Sequence, residues 1–93
     1  MRHLLVSSSR SRLAEGLRAL LAPGTVLLST RGIDGTLETL ARSARVDAVL
    51  TDDPRVEAAI REEVPGGLPV LLLRPGATPA TAARALANLL GDP

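Results

Sequence analysis

The amino-acid sequence predicts an α/β fold: one small domain, residues 1–93, with four parallel strands covered by helices on both faces. Three observations carry that prediction. Short, wholly apolar runs alternate along the chain with longer stretches that repeat apolar residues at helical spacing. Breakers separate the units, at Pro23-Gly24, Pro65-Gly66-Gly67 and Pro75-Gly76. The central run Val46-Asp47-Ala48-Val49-Leu50-Thr51 then ends in Asp52-Asp53-Pro54, where an open parallel sheet places its chemistry, outside the carboxyl ends of the strands. Strands that are apolar throughout are buried on both sides, which gives three layers, αβα. Right-handed crossovers and double winding give the strand order 2-1-3-4.

Taken in order, Leu4-Leu5-Val6 is the first strand and stops at Ser7-Ser8-Ser9. The helix after it carries Leu13, Leu17, Leu20 and Leu21 on one face, with Ser9 or Ser11 available to cap it and Pro23-Gly24 to end it. Thr25-Val26-Leu27-Leu28-Ser29 is the second strand and Thr30-Arg31-Gly32-Ile33 a loop. Asp34 then caps a helix with Leu37, Leu40, Ala41 and Ala44 inward. The central run is the third strand. Asp53 or Pro54 opens a helix with Val56, Ala59, Ile60 and Val64 on its buried face, and Pro65-Gly66-Gly67 breaks it. Pro69-Val70-Leu71-Leu72-Leu73 is the fourth strand. Thr78 and Pro79 form a cap and first-turn pair. The helix they open buries Ala82, Ala83, Leu86, Leu89 and Leu90 and stops at Gly91. Met1 reads as a start, and Gly91-Asp92-Pro93 as either a natural end or a cut before an output domain.

Composition narrows the chemistry. Apolar residues make up 45% of the chain, none of them aromatic, so the core is built from Leu, Val, Ile and Ala. All 11 basic residues are arginine. Without lysine there is no Schiff-base chemistry and no P-loop lysine. Without cysteine there is no disulfide, thiolate nucleophile or cysteine-ligated metal. The net charge of +1 supplies no field that would draw the chain to nucleic acid or membrane. Arginines alternate with acids on several helices, a solvated pattern, and no aromatic platform exists for single strands. The apolar runs are too short to span a bilayer. The expectation is a cytoplasmic protein with a protein partner or a homo-oligomeric state, no membrane association, no direct nucleic-acid contact and no cofactor.

Several segments carry a resemblance. Glu15-Gly16-Leu17-Arg18-Ala19-Leu20-Leu21, Asp34-Gly35 with Leu37 and Leu40, and Val46-Asp47-Ala48-Val49-Leu50-Thr51-Asp52 resemble the first helix, the start of the second helix and the third strand of the receiver domains of bacterial response regulators. These domains share the flavodoxin-like fold. The resemblance implies that Asp52 is the phosphoacceptor position. It also marks departures. Ser7 and Ser8 stand where receivers hold the acidic residues that bind Mg²⁺, the family's lysine is missing, and the chain is about one βα unit short. Arg74 replaces either the Ser/Thr switch residue, if Val70–Leu73 is the family's fourth strand, or the lysine, if it is the fifth.

The candidate site is therefore Asp52 as phosphoacceptor position, with Ser7, Ser8, Asp53 and Arg74 as its pocket. Two arrangements are favoured there: a solvated carboxylate pair in which Asp53 caps the next helix, or an ion pair between Asp52 and Arg74 that replaces switching with a fixed structure. Alternatively Asp52 is phosphorylated despite the missing acids, or the Ser7–Ser9 turn binds an anionic ligand with the help of Arg10 and Arg12. No catalytic residue is expected. Leu86, Leu89 and Leu90 form a candidate interaction face, and loss of a βα unit exposes the edge of the fourth strand. The expected function is that of a receiver-like, non-enzymatic protein-interaction module in signalling or gene regulation, independent of phosphorylation.

Overall fold

The computed structural model describes residues 2–21, 23–43, 45–64 and 66–91, with Ser11 described by its backbone alone. Met1, the Ser11 hydroxyl, inward Ala44, the breaker Pro65 and the end Asp92-Pro93 lie outside the described residues. Eight elements alternate: β1 (His3–Ser7), α1 (Ser11–Leu20), β2 (Val26–Thr30), α2 (Gly32–Arg42), β3 (Ala48–Thr51), α3 (Pro54–Glu63), β4 (Val70–Leu72) and α4 (Pro79–Leu90). The sheet is parallel throughout, in the order β2-β1-β3-β4. The expected fold class is the observed one.

Period-two alternation divides the core. Leu4, Val6, Ala48 and Leu50 face Leu13, Ala14 and Leu17 of α1 and Ala82 and Leu86 of α4. Leu5, Val49 and Val70 face Val56 and Ile60 of α3, with Leu37 and Leu40 of α2 against the same cluster. Thus α1 and α4 share one face, and α2 and α3 the other. Winding follows from this. A right-handed crossover that steps outward past β4 would run on the face of α3, as the β3–α3–β4 step does. Because α4 lies on the opposite face, it packs beside α1 over β1 and not on the side of an outward step past β4. Its approach to α1 is tight: a Cβ on Gly16 would sit 2.7 Å from Pro79 Cβ and collide with the proline ring.

Helix ends show how local chemistry sets the boundaries. Asp53 is the N-cap of α3, accepting the Arg55 N–H at 2.9 Å, with Pro54 in the first turn. Thr78 accepts the Thr81 N–H at 3.2 Å and Pro79 follows. Gly91 ends α4 in the left-handed region, at φ 74°. Two caps differ from expectation. The N-cap of α1 is Arg10, whose guanidinium has no acceptor to offer the helix, while the Ser8 hydroxyl accepts the Arg10 N–H at 3.0 Å in a local turn. α2 starts at Gly32, so Asp34 lies inside the first turn, where its charge suits the positive helix end without capping it.

Strand limits shift by a residue or two. The Val26 N–H bonds Arg2 O and the Ser8 N–H bonds Thr30 O, which moves β2 onto Val26–Thr30 and takes Thr30 out of the loop. β3 begins at Ala48, because Asp47 turns its carboxylate back onto the His3 N–H at 2.8 Å. Pro69 and Leu73 flank β4 while still bonding to β3. Some residues expected inside are not. Leu20 is 55% exposed at the last turn of α1, and Ala41 is exposed on α2. Among the described residues no helix is long and apolar enough to cross a membrane.

Candidate functional site

The order β2-β1-β3-β4 brings the carboxyl ends of β1 and β3 side by side, with Ser7 opposite Thr51. The five residues read as one site separate here into four environments. Ser7 turns inward. It is 1% exposed, because its parity is that of Leu5, facing α2 and α3. Its Oγ lies 2.7 Å from Thr36 Oγ1, which also lies 2.9 Å from Thr30 Oγ1 and 2.7 Å from Gly32 O. A carbonyl only accepts, so the single Thr36 hydroxyl proton goes to Gly32 O. Ser7 and Thr30 must then both donate to Thr36 Oγ1. Each proton has one destination, and Ser7 is committed to holding α2 against β1.

Ser8 and Asp52 do meet. Ser8 Oγ donates to Asp52 Oδ2 at 2.8 Å and accepts the Arg10 N–H. The half-buried Asp52 is thus tied across the β1–β3 gap by a neutral hydroxyl, which also fixes the turn into α1. Asp53 belongs to the helix. Its Oδ1 caps Arg55 N, and the Arg55 guanidinium contacts both carboxylate oxygens at 3.3 Å. The Arg55 guanidinium and N–H hold the Asp53 carboxyl below its ordinary value of 3.8. Its N–H in turn bonds the buried Thr51 hydroxyl at 3.1 Å.

The expected Asp52–Arg74 ion pair does not form; among the described residues Arg74 makes no ion pair. Register is the reason. Thr51 pairs with Leu72, which leaves Asp52 opposite Leu73 and Arg74 one residue further along, exposed. Arg10 crosses to that loop instead, its Nη1 donating to Ala77 O at 3.0 Å. Sequence reasoning missed Thr30 and Thr36, and gave Arg10 an anion-binding role in place of its bond to Ala77 O. Only Thr36 left a signal, as a hydroxyl one turn before Leu40 on the inward face of α2.

Chemically, the cluster offers one half-buried carboxylate and one hydroxyl already bonded to it. Among the described residues no three His, Cys, Asp or Glu side chains gather in a way that could hold a metal ion. A groove of about 400 Å³ runs beside β4 along Leu71, Leu72, Arg74, Ala77, Thr81 and Ala85. Another, of about 410 Å³, lies between α2 and α3 at Leu37, Leu40, Ala41, Glu63 and Val64. Neither is lined by Ser8 or Asp52. The candidate interaction face also divides. Leu86 is buried in the core, Leu90 packs against it in part, and Leu89 is 42% exposed. Comparison with protein-family models, with curated proteins and with solved structures finds no match.

Proposed function

We propose that this chain is a receiver-like protein-interaction module of cytoplasmic signalling or gene regulation that works without phosphorylation and without catalysis. The observation that carries the reading is the state of the two serines after β1. A metal-assisted phosphoacceptor needs hard, charged oxygens beside it, since Mg²⁺ binds through carboxylates and phosphates in near-octahedral geometry. Here Ser7 is spent on Thr36, and Ser8 gives Asp52 a neutral hydroxyl. The carboxylate is held by a bond that asks for no ion.

The position of α4 supports a further step within the same reading. A helix on the α1 face does not carry a right-handed step outward past β4, so the reading takes the missing βα unit as an internal one. Arg74 then takes the lysine's place and not that of the switch residue. An exposed arginine one residue past the register of Asp52 serves surface recognition better than charge neutralisation at the carboxylate.

The test is an amide NMR titration with Mg²⁺ and beryllofluoride, which mimics an aspartyl phosphate, on the chain and on Asp52→Ala. The reading expects spectra that do not move. Shifts centred on Asp52 and Ser8 that vanish in Asp52→Ala would establish a phosphorylatable switch instead. Shifts with inorganic phosphate alone, lost in a Ser8→Ala, Ser9→Ala variant, would establish an anion site at the Ser7–Ser9 turn.

A further inference from the structure

The two edges of the sheet are treated differently. On the β2 side, ladder bonds at Val26 and Thr30 leave Leu27 and Ser29 with outward backbone groups. There the Arg18 guanidinium donates to Leu27 O at 3.4 Å, a charged guard on the edge. On the β4 side, Val49 N–H bonds Pro69 O and Leu73 N–H bonds Thr51 O. Parity then points the N–H and C=O of Val70 and Leu72 away from the sheet. Among the described residues no strand pairs with this edge, and Leu72 is 38% exposed on it.

We propose that β4 pairs with β4 of a second copy, antiparallel, about a two-fold axis at Leu71. Two features favour a second copy over another occupant. The edge is self-complementary in hydrogen bonds. Turned on itself about Leu71, it sets Val70 opposite Leu72 twice, and each such pair exchanges two bonds without calling on the missing N–H of Pro69. It is also self-complementary in charge. Arg74 lies just past the carboxyl end. α3, the helix beside this edge, ends in exposed Glu62 and Glu63 at the amino end, where the chain turns into β4. The two-fold puts each copy's Arg74 toward the amino end of the other copy's β4, where Glu62 stands exposed at the end of α3, whereas Glu63 lines the groove toward α2. Neither Arg74, Glu62 nor Glu63 makes an ion pair among the described residues. The pairing also brings Leu72 and the groove along Leu71, Thr81 and Ala85 under cover. This inference does not depend on the receiver-like reading.

The test is sedimentation equilibrium of the full chain from micromolar to millimolar concentration, with amide exchange read by NMR. A three-residue strand pair is a small contact, so the expected dissociation constant is roughly 10–500 μM. The Val70 and Leu72 amides gain protection as concentration rises. Leu72→Lys, a substitution at an exposed site, weakens the dimer about tenfold or more. Arg74→Glu does the same, and Arg74→Glu with Glu62→Arg returns it to within about threefold of the parent. Far-ultraviolet circular dichroism confirms that each variant is folded. The proposal is overturned by a monomer at millimolar concentration, by a dimer indifferent to Leu72→Lys, or by a double variant that stays as weak as Arg74→Glu.

Discussion

Replacing Thr36 with valine keeps shape and helix propensity while deleting the oxygen on which three bonds converge. The magnitude follows from the geometry. The bonds from Ser7 and Thr30, at 2.7 and 2.9 Å, join α2 to β1 and β2, and each contributes about 0.5–1.5 kcal/mol net. The bond to Gly32 O is local back-bonding within one turn and adds little. Thr30 is half-buried and finds water, whereas Ser7 at 1% exposure keeps a buried hydroxyl without its acceptor, a further cost of about 1–3 kcal/mol. The total is roughly 2–6 kcal/mol, which in a domain this size lowers Tm by about 8–48 °C. Urea unfolding followed by far-ultraviolet circular dichroism is the assay, because the chain has no aromatic fluorophore. Adding Ser7→Ala to Thr36→Val removes the orphaned hydroxyl, so the double variant costs less than the sum of the singles by about 1–2 kcal/mol. Strict additivity, or a Thr36→Val cost under about 0.5 kcal/mol, would refute the inward role of Ser7.

Gly16→Ala gains about 1 kcal/mol of helix propensity and loses about 1–3 to the Pro79 ring. Net destabilisation is expected on thermal melting, and it should be relieved when Pro79→Ala is added. Acid stability reports on two carboxylates held low: Asp47, first by the His3 N–H and then by Arg45, and Asp53, first by the Arg55 side chain. A carboxyl that is more acidic folded than unfolded stabilises above its ordinary value of 3.8. That contribution is lost as pH falls through the folded value. Unfolding midpoints measured from pH 6 to pH 2 should therefore fall less steeply below about pH 4 in an Asp47→Asn, Asp53→Asn variant than in the parent. Equal slopes would show that neither bond persists in solution.

The sheet was legible because parallel strands buried on both faces read as unbroken apolar runs, and because Asp53-Pro54, Thr78-Pro79 and Gly91 carry their own stop and start chemistry. The adjacency of Ser8 and Asp52 followed from strand order alone. What escaped depends on parity and register. Ser7 looks like the first residue of a polar turn, yet it shares parity with Leu5 and so faces α2; only the length of β1, one residue beyond Val6, reveals it. The Asp52–Arg74 pair failed by one position, since neighbouring strand ends do not imply facing side chains. Leu86 and Leu89 sit three apart on α4 and belong to different environments, a division fixed by which face of α4 packs on the core.

The position of α4 has a consequence for biosynthesis. Leu4 and Val6 leave the ribosome well before their full cover on that face, which includes Ala82 and Leu86, made roughly 75 residues later. At 5–20 residues per second that face of the sheet stays incompletely covered for about 4–15 s, whatever the pace of local folding. The first strand of this domain cannot be fully buried before the last helix has been translated, so a stall anywhere between α1 and α4 leaves an apolar surface for chaperones or aggregation to find.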